Sequence, residues 1–160
     1  MYSGLEIVAI LSDLDVTRVI WVPDSEIGQW ESDLESADGI ELVRVCREGE
    51  AWAIAAGLHL GGKSLVVMIQ TTGLFESSDS MRNVLLDLKL PIFAIVGARN
   101  WLVKESRDSA KLFAEPFLKS WQLDYRLIDR PEDKPMLAEH YLACQEVGKP
   151  GIALIAEESI

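Results

Sequence analysis

The chain has 160 residues, 49% of them hydrophobic, and a formal net charge of -11 from 15 Lys plus Arg against 26 Asp plus Glu. That length and apolar content predict one domain over residues 1–160 with a real core, and they exclude a disordered chain. The acidity, unbroken by any basic run, speaks against a nucleic-acid partner, and no apolar run reaches membrane-spanning length.

The first residues, Met1 to Gly4, carry no basic and apolar leader pattern, so neither secretion nor a membrane partner is expected. Cys46 and Cys144 lack the close spacing of zinc or redox pairs and read as free thiols of a cytoplasmic protein. His59 and His140 fall in helical stretches where spacing alone sets no Ser, Cys or Asp beside them. No metal site and no hydrolytic triad is expected on this chain.

In chain order, Leu5, Val8 and Leu11 have helical spacing, and RVIWV at 18–22 is the first strand. Pro23, Asp24 and Ser25 follow it, a triplet that suits either a helix cap or a polar rim for substrate. Ile27, Trp30 and Leu34 give the next helical stripe, and ELVRV at 41–45 the second strand.

Cys46, Arg47, Glu48, Gly49 and Glu50 then open a helix, and Glu48 in its first turn is favoured by the helix dipole whatever its role. The helix crowds Ala51, Ala53, Ala55, Ala56 and Gly57 together, which suits tight packing on its own sheet or a contact with another subunit. Gly57 inside a helix costs about 1 kcal/mol relative to alanine and so points to a steric need.

SLVVMIQ at 64–70 is the third strand, and residues 70–78 after it read as a tight turn with exposed amides and hydroxyls. That turn has neither the lysine of a P-loop nor the spacing GxGxxG. Met81, Val84, Leu85 and Leu88 continue as a helical stripe to PIFAIVG at 91–97. Residues 98–106 form a mixed polar and aromatic segment that suits a substrate loop, an interface loop or a solvated connector, and DYRLI at 124–128 is the fifth strand. RPEDKP starts a helix bearing Leu137, Tyr141 and Cys144, and GIALIA at 151–156 is the sixth strand.

Short runs apolar on both faces, alternating with helices, define an α/β fold: a doubly wound, mostly parallel six-stranded sheet with helices on both faces. Ligands of such sheets sit beyond the carboxyl ends of the strands, which singles out the loops named above.

The stretch CREGEAWAIAAGLHLGGKSLVVMIQTTGL, with VPDS, LKLPIFAIVG and KPGIALI, resembles the pyrimidine-binding module of thiamine-diphosphate enzymes. The similarity is strongest to the sulfopyruvate and phosphonopyruvate decarboxylase group. The resemblance implies that Glu48 is the carboxylate set against the aminopyrimidine, where it promotes the amine that activates the cofactor. It implies a pyrimidine-contacting turn at Thr72, Gly73 and Leu74 with Phe75 beside it, and a substrate-facing loop at Pro23, Asp24 and Ser25. Arg47 stands where many relatives have histidine and suits a small anionic 2-oxoacid.

Where such relatives read roughly SGLGN, this chain reads TGLFE, so Phe75 replaces a glycine and Glu76 an asparagine. The Gly-Asp-Gly type motif that holds diphosphate through Mg2+ is absent from the sequence. The resemblance therefore implies an alpha-type subunit that shares thiamine diphosphate with a beta-type partner, the partner holding Mg2+, and pyrimidine-binding domains that associate with one another. A carboligase or synthase subunit, and a non-catalytic module of the same fold, are the alternatives. A flavodoxin-like domain is disfavoured because only Asp24 stands near a phosphoacceptor position.

Overall fold

A computed structural model of the chain describes residues 1–157. Six strands, β1 Arg18–Trp21, β2 Glu41–Arg44, β3 Leu65–Gln70, β4 Phe93–Gly97, β5 Tyr125–Ile128 and β6 Gly151–Ile155, pair in the order β2-β1-β3-β4-β6-β5. Every pairing is parallel, in agreement with the apolar runs of the sequence.

Alternate residues of the strands feed two cores. On one face Ile20, Val67, Ile69, Ala94, Val96, Ile152 and Leu154 pack with Trp52, Leu74, Leu85 and Leu118. On the other, Val19, Trp21, Val66, Met68, Phe93, Ile95 and Ile155 pack with Ile7, Leu11, Trp30, Leu34 and Tyr141. Helices therefore cover both faces, because a strand of period 2 that is apolar throughout must bury both of its sides.

The helices are α1 Gly4–Asp13, α2 Glu31–Glu35, α3 Glu48–Leu60, α4 Thr71–Glu76, α5 Ser78–Arg82, α6 Ser109–Ser120 and α7 Met136–Glu146. Helix α1 starts on a capping box, with Ser3 Oγ accepting from the Glu6 amide and Glu6 accepting from the Ser3 amide. Its buried side is Gly4, Ile7 and Leu11, whereas Leu5 is 69% exposed. The expected stripe is turned by one position because a Cβ on Gly4 would strike the Asp33 carboxylate, so the helix leans on α2 at that glycine.

A second difference lies after α5, where Asn83–Asp87 form a π-helical turn and the Leu88 amide reaches back to Asn83 O. Met81, Val84 and Leu85 are buried as their spacing predicts, but the extra residue in the turn rotates Leu88 outward, and it is 59% exposed. Helix α7 behaves as expected, with Leu137, Tyr141 and Cys144 buried.

The two open edges of the sheet carry charge. On β2, Glu41 pairs with Arg18 at 2.8 Å and Arg44 reaches Glu31 at 2.6 Å and Glu35 at 3.1 Å. On β5, Arg126 is exposed and bonds Asp124.

Candidate functional site at the carboxyl edge

Because β1 lies between β2 and β3, the loops leaving these three strands are neighbours at one edge of the sheet. Helix α3 rises from the end of β2, with Arg47 in extended backbone as its N-cap and Glu48 as its first residue. Helix α4 begins directly at the end of β3, so the expected turn at 70–78 is instead a helix from Thr71. The amides of its first turn, from Thr71 to Leu74, have no intrahelical partner, in keeping with a stretch of exposed amides at a helix start.

Glu48 is half-buried, and its side chain rests against Gly73. A Cβ at Gly73 would lie 2.5 Å from Glu48 Cγ and 2.5 Å from its Oε1. The glycine is therefore the floor of the carboxylate's seat. Among the described residues, no donor forms a hydrogen bond to the Glu48 carboxylate. A partly desolvated carboxylate in this position is free to accept one from a ligand.

The seat is held from below by a buried relay. Trp52 Nε1 donates to Ser77 Oγ at 2.9 Å, and Ser77 Oγ donates to Gly73 O at 2.6 Å. Trp52 and Ser77 are essentially inaccessible, so the two helices that carry Glu48 and Gly73 are bonded in a dry environment where such bonds are hardest to replace.

Arg47, the residue before Glu48, is exposed and bound to Glu76, its Nη2 at 2.5 Å and Nε at 3.1 Å from Oε1. The other oxygen of Glu76 accepts from the Gly49 amide at 3.1 Å. Arg47 hydrogen bonding holds the Glu76 carboxyl below its ordinary range, and the Gly49 amide adds to this. Glu76 thus caps the first turn of α3, a task the Arg47 side chain does not perform. The side chains of Leu74 and Phe75 face inward: Leu74 is fully buried in the core, and Phe75 packs edge-on against Phe117 at 5.4 Å. Thr72 is exposed beside them.

In the loop after β1, Pro23 and Ser25 are exposed and Asp24 is half-buried. Asp24 Oδ1 accepts from the amides of Glu26 at 2.8 Å and Ile27 at 3.1 Å, and Oδ2 from Trp21 Nε1 at 3.3 Å. Of the two roles the sequence allows, the capping one is met by these bonds. Burial pushes the Asp24 carboxyl up, against the pull of the two amides and the indole.

The same edge holds a cluster that the sequence did not single out. Arg99 donates through Nε to Asp108 at 3.0 Å and through Nη1 to Gln70 at 3.4 Å, while Glu26 lies 3.7 Å from Nη1. Its amide meets Thr71 Oγ1 at 3.3 Å. Arg99 stood in a stretch equally readable as a solvated connector, and Glu26 lay between the PDS triplet and the stripe that starts at Ile27; only the strand order brings them together.

Gly57 meets nothing within 4 Å of an added Cβ and is exposed. The packing need expected at that position is not found within the described residues.

Fold and edge geometry together define the class: an all-parallel α/β sheet of the kind found in thiamine-diphosphate-dependent decarboxylases. Over its whole length the chain is similar to benzoylformate decarboxylase from Polynucleobacter necessarius, with 27% identity and a TM-score of 0.76, covering 32% of that chain. The thiamine diphosphate-dependent 4-hydroxybenzoylformate decarboxylase of Rhodococcus jostii shares the fold, with a TM-score of 0.71 at 18% identity over 97% of this chain and 30% of its own.

The particular resemblance seen in the sequence, to sulfopyruvate and phosphonopyruvate decarboxylases, is found among curated proteins. Sulfopyruvate decarboxylase subunit alpha of Methanocaldococcus jannaschii is 25% identical over 105 residues, 66% of this chain and 62% of that one. Phosphonopyruvate decarboxylase of Streptomyces viridochromogenes is 32% identical over 95 residues, 59% of this chain and 24% of its own length. Sulfopyruvate decarboxylase of Methanosarcina acetivorans is 26% identical over 116 residues, 71% of this chain and 30% of that one. Each match spans less than two thirds of the relative. No family model matches the chain.

Proposed function

We propose that residues 1–160 form the pyrimidine-binding half of a thiamine-diphosphate-dependent 2-oxoacid decarboxylase, with sulfopyruvate as leading substrate and phosphonopyruvate next. The observation that supports it most is the unpartnered Glu48 carboxylate seated on Gly73 at the carboxyl edge of the sheet. These residues fit the pyrimidine end of the cofactor: an open acceptor, and a floor that any side chain would fill. When bound, thiamine diphosphate supplies an electron sink for the pair released as CO2 leaves the 2-oxoacid.

Glu48 is the group of this chain that would accept a hydrogen bond from a ring nitrogen and favour proton movement there. Gly73 and the relay beneath it keep that carboxylate at a fixed height, and Thr72 lines the same edge. Leu74 and Phe75 act by packing behind the turn. The exposed Pro23, Ser25 and Arg47 are left to face substrate, with Arg47 offering a cation to an anionic 2-oxoacid.

Two relatives bear names that include subunit alpha. In keeping with this, we assign the diphosphate and Mg2+ to a beta-type partner. The exposed face of α3 with Ala53, Gly57 and Leu60 is the surface on which like domains would associate. No helix among the described residues is long and apolar enough to cross a membrane, and we place the enzyme in the cytoplasm.

The test is reconstitution with a beta-type subunit, thiamine diphosphate and Mg2+, with CO2 release from sulfopyruvate and phosphonopyruvate as the readout. Glu48→Gln is expected to lower turnover by at least ~100-fold, the range for loss of one group acting on proton transfer. Undiminished turnover in that variant would sink the assignment of Glu48. Condensation products in place of CO2 and aldehyde would indicate a carboligase. Absence of cofactor binding by calorimetry would leave a non-catalytic module.

A further inference from the structure

At the opposite edge of the sheet, the residue before β5 and two residues of α7 converge. Asp124, His140 and Cys144 each offer a ligand atom, and these three atoms lie within 4.8 Å of one another. His140 and Cys144 are four residues apart on one face of α7, and both are buried, at 4% and 2% exposure. Cys144 Sγ lies 3.6 Å from His140 Nδ1 and 3.9 Å from Nε2.

We propose that Asp124, His140 and Cys144 form a binding site for a divalent ion of the zinc type, remote from the Glu48 edge. Imidazole, thiolate and carboxylate are the donors such ions prefer, and three protein ligands with a fourth position for water is a common arrangement. Bonds of about 2.0–2.3 Å in tetrahedral geometry set neighbouring ligand atoms roughly 3.5 Å apart, close to the sulfur-to-nitrogen spacing already present.

The surroundings suit this use. Gly151 leaves the notch that fixes the thiol, since a Cβ there would collide with Cys144 Sγ and with the Phe93 ring. Phe93 also meets the His140 ring edge-on at 5.4 Å, which sets the plane of the imidazole. Asp124 is pinned through its carbonyl by the Ile152 amide at 3.0 Å, and Arg126 holds one carboxylate oxygen at 2.6 Å. The other oxygen is left for the ion, with Arg126 orienting the ligand from outside.

A cleft of about 260 Å³ lined by Arg126, Met136, Glu139, His140 and Ala143 gives access from solvent. Burial pushes the His140 pKa down. Burial pushes the Cys144 thiol up, so binding must expel its proton: each ion bound forms one metal-sulfur bond and releases one proton to water. The two ligand charges, the exposed Asp124 carboxylate and the buried Cys144 thiolate, then balance the dication.

Chelator-treated protein should be titrated with Co2+ alone and, separately, with Zn2+ alone. Expected are a near-ultraviolet thiolate-to-cobalt absorption saturating at one ion per chain, displacement of that band by Zn2+, and a Zn2+-dependent rise in Tm reversed by EDTA. Cys144→Ser should abolish the band. Asp124→Asn, at the surface and not expected to disturb folding, should weaken binding by about 10-fold or more. A wild-type protein with no thiolate band, or a band and affinity indifferent to Asp124→Asn, overturns the proposal and leaves a thiol-imidazole hydrogen bond in its place.

Discussion

The two edges of the sheet are built on different principles. Among the described residues, six of the seven with positive φ stand between a helix and the following strand: Asp15, Gly39, Gly62, Lys89, Gln122 and Gly148. Each reverses the chain once before β1 to β6 in turn, the left-handed conformation that ends helices. At the carboxyl edge Asn100 alone among the described residues is left-handed. There three residues separate β2 from α3 and α4 directly follows β3, whereas β4 leads through residues 98–108 to α6, and the edge carries Glu48, Glu76, Asp24, Glu26 and Arg99. One edge spends its residues on backbone geometry and the other on side-chain chemistry, so substitutions should separate stability from activity according to the edge they strike.

The sharpest break of that contrast is Gly73→Ala. Its methyl meets only the end of a flexible glutamate, and alanine favours helix α4, so the denaturation midpoint should hold or rise. Turnover of the reconstituted enzyme should nonetheless fall ~100-fold or more, because Glu48 must leave its seat. Parallel loss of both would mean that the contact is mere packing.

Ser77→Ala should act on both quantities. It strands the buried Trp52 N–H and costs about 1–3 kcal/mol in urea unfolding, the usual penalty for a lost buried partner. Turnover should drop with it, since the tie to Gly73 O is cut.

At the other edge, Gln122→Gly should raise stability by roughly 0.5–1 kcal/mol by relieving a side chain at φ 56°. Gly148→Ala, at φ 62° with open space around it, should lower it by a similar amount. Neither should alter turnover.

The smallest effect is expected for Asp24→Asn, read through pH. Burial raises the folded pKa of Asp24 above its ordinary 3.8, so the stability linked to its protonation is present below that value and is lost as pH rises through the folded one. Asparagine still accepts both amides and carries no charge to desolvate. Its unfolding free energy should exceed that of the natural chain at neutral pH, and its decline from acid to neutral pH should be shallower. An elevated KM in this variant, with the cap intact, would return Asp24 to the substrate rim.

Much of this was legible in the sequence, for definite reasons. Strands buried on both faces announce themselves as unbroken apolar runs, and all six lie where those runs stand. Glu48 and Gly73 could be named through resemblance, but their contact could not, because it depends on β1 lying between the strands they follow. The phase of α1 escaped because it is set by the lack of a side chain at Gly4 against Asp33, and that of Leu88 because a π turn adds a residue that no periodicity reveals. Asp124 lies 16 positions from His140 in the chain, too far for spacing to suggest a common site.

The charged rims of β2 and β5 bear on how the molecule behaves in a crowd. A parallel sheet with bare outer strands is a template on which further copies can grow into fibres. Here Glu41 and Arg44 on one side and Arg126 on the other oblige any incoming strand to desolvate ions before it can pair. Growth along the sheet is thereby discouraged, and orderly assembly is left to the surfaces of helices and loops.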